Sequence, residues 1–277
     1  MLVKFGMEDA KASKTPMDAG TKLSKKDEPS VQAERSNFPY RELVASLLFA
    51  SICCRPDIAF AVKELSRFLN NPGKKMIEVA KRVLRYLART IDRGLLFHYK
   101  FRMVIGGLFK SSFADPLCAF SDADFVGQLF DRLSTSGILL MFNGTAIIWS
   151  SKVIRTVALS SQDAEFMALS DTVREVCFIQ NLLSSLGFAV DNTSVFGDNK
   201  GSLTLATHPS DHQKSKHIEV RYFWIRQKVE ERRCTLKYVQ TTDQLADLLT
   251  KALPDAQHNR LALIMMGHVE PNVEPPQ

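Results

Sequence analysis

Four acids in this chain stand where a carboxylate has no evident structural duty. Asp122 follows a short apolar run over 117–121, and Asp198 closes the run Val195-Phe196-Gly197. Glu165 lies in the first turns of a helical pattern between Ala164 and Phe166, and Asp247 sits between Ala246 and Leu248. Any one of them alone reads as a cap or a solvated charge. As a set they read differently, because strands that end in acids and helices that project acids can converge on one face. Hard carboxylate oxygens suit Mg²⁺, and two ions about 3.5–4 Å apart can stabilise both the attacking and the leaving oxygen of a phosphodiester cleavage. Asp124 competes with Asp122 for the first position, since residues i and i+2 share a strand face.

A second candidate chemistry lies upstream. Lys81, Arg85 and Arg89 recur every four residues, with Arg82 beside them. That spacing makes a basic helix face, which either follows a phosphate backbone without reading sequence or is merely solvated. The charge distribution favours a polyanion beside a carboxylate-bearing unit: residues 1–110 hold 21 Lys and Arg against 11 Asp and Glu, whereas 111–277 hold 15 against 19. His208, His212 and His217 lack an accompanying CxxC, so a zinc module is disfavoured. The first two read as loop residues, while His217 opens a helix that also carries Arg221, a pair placed to touch a nucleic-acid backbone. Lys152 and Arg155 read as exposed charge, and Trp149 and Trp224 as core.

The elements that must position these groups fall into two grammars. Residues 1–36 are polar and broken by Pro16, Gly20 and Pro29, which predicts a loose arm. Helices follow over 40–54, ended by Arg55-Pro56, over 58–70 with Asp57 as N-cap, and over 74–90. Residues 101–114 read as a linker. Beyond it, strands over 135–142 and 145–150 flank Asn143-Gly144, a strong hairpin signal. A helix over 161–186, capped by Ser160 or Ser161 and stopped by Gly187, leads into alternating strands and helices: strand 193–196, helix 199–207, helix 215–233, strand 235–240 and a closing helix over 243–253. The fold class is therefore α/β, a mixed sheet whose first three strands are antiparallel, with flanking helices and a small helical region before it.

The chain has 277 residues, 45% of them hydrophobic and 24% charged, with a formal charge of +6. Those values exclude fibrous and wholly disordered classes. Five cysteines without a CxxC pair predict reduced thiols rather than a disulfide framework. The first residues show no apolar signal core, and the longest uncharged stretch contains Ser134, Thr135, Ser136, Asn143 and Thr145, so no membrane partner is expected.

Several blocks taken together resemble a known family. Ser121-Asp122-Ala123-Asp124-Phe125, Ser134-Thr135-Ser136-Gly137, Trp149-Ser150-Ser151-Lys152, Leu159-Ser160-Ser161-Gln162-Asp163-Ala164-Glu165-Phe166, Gly197-Asp198-Asn199, Lys216-His217-Ile218-Glu219 and Gln244-Leu245-Ala246-Asp247-Leu248-Leu249-Thr250-Lys251 are similar to the ribonuclease H domain of copia-type LTR retrotransposon Pol polyproteins. Tyr40-Arg41-Glu42-Leu43, Arg55-Pro56-Asp57-Ile58 and Lys81-Arg82-Val83-Leu84-Arg85-Tyr86 resemble the thumb and connection region of the same polyproteins, and Phe5-Gly6-Met7-Glu8 with Thr15-Pro16-Met17 the end of the polymerase palm. The resemblance implies domains over 1–36 (palm end), 37–100 (thumb/connection), 115–256 (ribonuclease H) and a C-terminal tail over 257–277.

It also implies a reaction: hydrolysis of the RNA strand of an RNA–DNA hybrid by two Mg²⁺ ions, which Mn²⁺ can replace, held by the catalytic acids Asp122, Glu165, Asp198 and Asp247. Lys81, Arg82, Arg85, Arg89, His217 and Arg221 would contact the nucleic acid. The partners implied are the hybrid and the polymerase part of the same polyprotein, in a cytoplasmic virus-like particle or the nucleus. Phe125 and Gln128 depart from the family, which usually has Trp and an acid there. Gln240-Thr241-Thr242-Asp243 supplies no loop His ahead of the last acid. The sequence contains no Tyr-x-Asp-Asp, so polymerisation is not expected. The alternative is a catalytically silent or co-opted remnant that only binds nucleic acid.

Overall fold

The computed structural model describes residues 1–30, 38–97, 116–125, 134–156, 158, 160–188, 190–207 and 216–268, the side chains of 207 and 216–219 excepted. The linker expected over 101–114 lies outside the described residues, as do His208 and His212. Helices α1 (Tyr40–Cys53), α2 (Ala59–Ser66) and α3 (Lys74–Arg89) pack around one core in which Leu43, Leu47, Ile58, Leu65, Met76 and Leu84 are fully buried. The long helix expected over 58–70 is shorter. A 3₁₀ turn over Pro56–Ile58 precedes α2, and Asp57 does not cap it. Its carboxylate instead turns into the core, where Arg55 Nε and an Arg55 terminal nitrogen donate at 2.9 and 2.8 Å and Tyr86 Oη at 2.6 Å.

The arm is packed rather than loose over residues 1–30. Met17 and Leu23 are buried in the helical core, and Arg82 donates to the Thr15 carbonyl at 3.2 Å and pairs with Asp18 at 2.6 Å. Leu2, Phe5 and Met7 pack against the same core, and a mainly polar composition hides these anchors.

The second unit is a five-stranded sheet of β1 (Leu117–Asp124), β2 (Thr135–Phe142), β3 (Thr145–Val153), β4 (Thr193–Gly197) and β5 (Cys234–Tyr238), in the order β3-β2-β1-β4-β5. β1, β2 and β3 are antiparallel, and β4 and β5 run parallel to β1. The β2–β3 turn follows from Asn143 (φ 49°) and Gly144 (φ 80°), the left-handed pair that a two-residue hairpin needs. Side chains alternate across the central strand. Leu117 and Ala119 meet α4 (Ser161–Ser185), α5 (Lys200–Thr207) and α6 (Lys216–Glu230) on one face, while Cys118 and Phe120 meet the opposite layer.

That opposite layer corrects two expectations. Residues 243–253 do not form an α-helix; they make short 3₁₀ turns over Thr241–Asp243 and Leu245–Leu249, and Pro254 then starts α7 (Asp255–Met265). The tail expected from 257 is, as far as residue 268, helix and turn. Leu261, Ala262, Met265 and Met266 follow helical spacing and are fully buried against the sheet. Residues 269–277 lie outside the description. α7 also joins the two units: His258 packs edge-on against Tyr86 with ring centres 5.4 Å apart, and Arg93 donates to Asn259 at 3.1 Å. Trp149 Nε1 on β3 donates to the Ser51 carbonyl at 2.7 Å, making a second tie.

Candidate metal centre

The site forms where β1, β4 and the 3₁₀ turn over Leu245–Leu249 end together. β1 runs three residues further than its apolar pattern, so Asp122 lies inside the strand rather than after it. By alternation its side chain shares the face of Phe120 and points at the 3₁₀ layer. Asp198 leaves β4 one residue beyond Gly197, next to β1 in the parallel register. Asp247 is presented by the 3₁₀ turn and is fully buried. One carboxylate oxygen from each of Asp122, Asp198 and Asp247 lies within 4.8 Å of the other two.

Glu165, in the first turn and a half of α4, does not complete that set of mutual distances. It belongs to the same electrostatic cluster: its carboxyl accepts the Ala123 amide and feels the charges of Asp122 and Asp198. Ser160 starts the helix that carries it, its hydroxyl accepting the Asp163 amide at 3.1 Å.

A single segment over 241–251 secures the acids. Thr241 donates to Asp198 at 2.9 Å, Gln244 donates to the Ser121 carbonyl at 2.9 Å, and the Thr250 hydroxyl donates to Asp122. Lys251 Nζ lies 2.8 Å from Asp247. The segment can lie so close because of Gly137, which pairs with Asp122 in register. A Cβ at Gly137 would stand 2.7 Å from Thr250 Cγ2 and 2.8 Å from the Ala246 carbonyl oxygen. Thr241, Thr250, Lys251 and Gly137 were not among the residues the sequence singled out for the site. Three of them lie inside blocks that carry the family resemblance, so the signal was present without its geometry.

The cluster is electrostatically stressed. Burial, then the Asp122 and Asp198 charges, push the Glu165 carboxyl up to about 10. Burial, then the Asp122 charge, push Asp247 up to about 8. Burial also raises Asp122, with the Lys251 charge opposing. For Lys251, burial alone would lower the ammonium, but Asp122 and Asp247 hold it above its ordinary value. Asp247 Oδ2 is buried with no hydrogen-bond partner. A buried carboxyl oxygen left without a partner is costly in either protonation state. Converging hard oxygens with an unused lone pair fit a hard divalent cation.

The proposed nucleic-acid contacts are spread elsewhere. On α3, Arg82 is committed to the arm, Lys81 lies 4.8 Å over the Phe38 ring, Arg85 is half-buried and Arg89 is exposed. Arg221 pairs with Asp171 at 3.3 Å, tying α6 to α4. The His217 side chain lies outside the described residues. Lys152 and Arg155 are exposed.

No family model matches the sequence. Over 258 residues the chain is 38% identical to the retrovirus-related Pol polyprotein from transposon TNT 1-94 of Nicotiana tabacum, covering 92% of this chain and 18% of that one. It spans between 16% and 18% of the length of the three Pol polyproteins it matches at 34–38% identity. Over 143 residues it is 40% identical to secreted RxLR effector protein 161 of Plasmopara viticola, covering 52% of this chain and 92% of that one. Among solved structures, LC11-RNase H1, isolated from compost by a metagenomic approach, overlaps 49% of this chain at a TM-score of 0.39 and 14% identity. That likeness is too loose to add to the sheet topology. The sequence match, sustained over nine-tenths of the chain, places it in the family of copia-type retrovirus-related Pol polyproteins.

Proposed function

We propose that this chain is the ribonuclease H part of such a polyprotein and hydrolyses the RNA strand of RNA–DNA hybrids, without polymerase activity. The observation that carries the reading is the convergence of Asp122, Asp198 and Asp247 within 4.8 Å at the sheet end, with Glu165 under the charges of Asp122 and Asp198. These four acids would hold two divalent ions. Bound there, the metal would supply Lewis acidity to the scissile phosphate and acidify the attacking water.

The chain's own residues prepare that site. Thr250 and Thr241 fix the orientation of the Asp122 and Asp198 carboxylates, as outer partners of metal ligands do. Lys251 offsets part of the acid charge while no metal is bound. Glu165 and Asp247 must shed protons before they can act as ligands. The hybrid, the remainder of the polyprotein, and a cytoplasmic particle or nuclear setting belong to this proposal. Among the described residues no helix is long and apolar enough to cross a membrane.

The test is cleavage of a labelled hybrid by the parent chain and by Asp198→Asn, which keeps the side-chain volume and removes a charge. The parent should cut the RNA strand in Mg²⁺ and lose the activity in EDTA. The variant should bind the hybrid and not cut it. A parent inert in both Mg²⁺ and Mn²⁺ would leave the second reading, a remnant that binds nucleic acid only. One observation keeps that reading in view: half of this sequence matches nearly the whole of a protein that is not named as a Pol polyprotein.

A further inference from the structure

A half-open cleft of about 290 Å³ lies beside the acid cluster, where the arm, α2 and the sheet meet. Lys22 from the arm and Arg67 from the end of α2 stand on its walls with Phe60, while Asp124, Thr135 and Lys251 also line it. Its charge is unequal. Glu64, also on the wall, is already neutralised by Lys63 at 2.5 Å and Arg67 at 3.0 Å. Lys22 is exposed, and its charge reaches Asp124. On the wall itself the three cations Lys22, Arg67 and Lys251 stand against the two acids Glu64 and Asp124, and an aromatic ring stands among them. The volume suits one nucleotide and is far too small for a duplex.

We infer that this cleft is a nucleotide subsite, in which Lys22 and Arg67 take a phosphate of the cleaved strand while its sugar faces Asp124 and Thr135. Resting on the hydrolase reading, the inference adds where the strand runs. Asp124 is two residues beyond Asp122 on the same strand face, about 6.6 Å along β1. Lys251 spans the two places, lining the cleft and lying 2.8 Å from Asp247. A strand with its scissile phosphate at the acids thus lays the neighbouring nucleotide in the cleft. Lys63 ties the two units beside it, donating from α2 to Thr135 Oγ1 at 2.9 Å. The helical unit is in this way a wall of the substrate path as well as a neighbour of the nuclease unit.

The experiment titrates adenosine 5′-monophosphate into the full chain in EDTA by calorimetry, so that neither metal nor hydrolysis enters. The parent should bind saturably. Lys22→Gln, at an exposed position, should weaken binding by about tenfold, the scale of one charge-assisted contact. Thr21→Trp, which fills the cleft, should abolish it, and Lys25→Gln, an exposed lysine that is not on the cleft wall, should leave it unchanged. On the hybrid, Lys22→Gln should raise KM at constant kcat. Absence of saturable binding by the parent, equal losses at Lys22 and Lys25, or parent-like binding by Thr21→Trp would each overturn the subsite. A parent that cuts the hybrid but binds no nucleotide removes the cleft alone. A parent that binds through Lys22 and cuts nothing removes the hydrolase reading alone.

Discussion

Two buried aspartates in this chain live under opposite conditions. Asp57 lies in the helical unit with its side chain fully buried, held by two Arg55 nitrogens and the Tyr86 hydroxyl. Burial would raise its pKa, but the Arg55 hydrogen bonds and charge reverse the sign and hold it below the ordinary carboxylate value. Asp247, equally hidden, has Lys251 beside one oxygen but lies against the other acids, and burial, then the Asp122 charge, push it up to about 8. The chain satisfies the first carboxylate from its own residues and leaves the second short of positive charge. Burial alone therefore does not set one acid apart from the other; the difference is burial with the compensation withheld.

The sharpest way to break this comparison is to neutralise each acid. Asp57→Ala leaves Arg55 buried without its partner and should cost about 3–5 kcal/mol of stability in a denaturant titration. The matching change at the sheet end should not destabilise. If Asp247→Asn in EDTA unfolds as readily as Asp57→Ala, the two acids do not differ in the way described.

Gly137→Ala probes the backbone approach instead of the charge. Its Cβ would press on the Ala246 carbonyl and Thr250. The expected loss is about 1–3 kcal/mol, together with weakened metal binding as the 3₁₀ turn is displaced. Unchanged metal affinity would mean that the turn need not sit where it does. Thr250→Val removes the donor to Asp122 at nearly constant volume and should weaken Mg²⁺ binding by about tenfold. An affinity equal to the parent's would show that this hydroxyl does not orient the ligand.

The smallest expected effect is a matter of pH. Glu165 has its folded-state pKa raised to about 10, so its contribution to stability is fully present below its unfolded value and is lost as the pH rises through about 10. Glu165→Gln removes that loss. In EDTA at pH 9 the variant should melt a few degrees above the parent, about 2–4 °C for each kcal/mol recovered, and at pH 4 the two should coincide. Identical melting at both values would deny the stress on Glu165.

How much of this was legible in the sequence differs between the same two regions. In the sheet unit, local chemistry set the elements. Asn143-Gly144 dictated the hairpin, Ser160 capped α4, and Gly187 (φ 87°) ended it. Acids at two strand ends and on two helical segments were visible as a pattern of four positions. The partners were not, because Thr241, Thr250 and Gly137 act through close approach between segments far apart in sequence, and residue spacing carries no such distance. In the helical unit, Asp57 read as an N-cap because its local setting before Ile58 allows it. Arg55 and Tyr86, 29 residues away, drew the carboxylate inward instead. The basic face of α3 was real as spacing, yet the arm claimed Arg82, a contact that only folding reveals.

The most direct test of the central claim counts protons. If Glu165 and Asp247 hold protons where a cation belongs, Mg²⁺ or Mn²⁺ must displace them on binding. Calorimetric titration of the metal into the chain at pH 7, repeated in buffers of different ionisation enthalpy, measures that release. The account predicts saturable binding with net proton release, and loss of both in Asp122→Asn. Binding without proton release, or no binding to the parent at all, would contradict it.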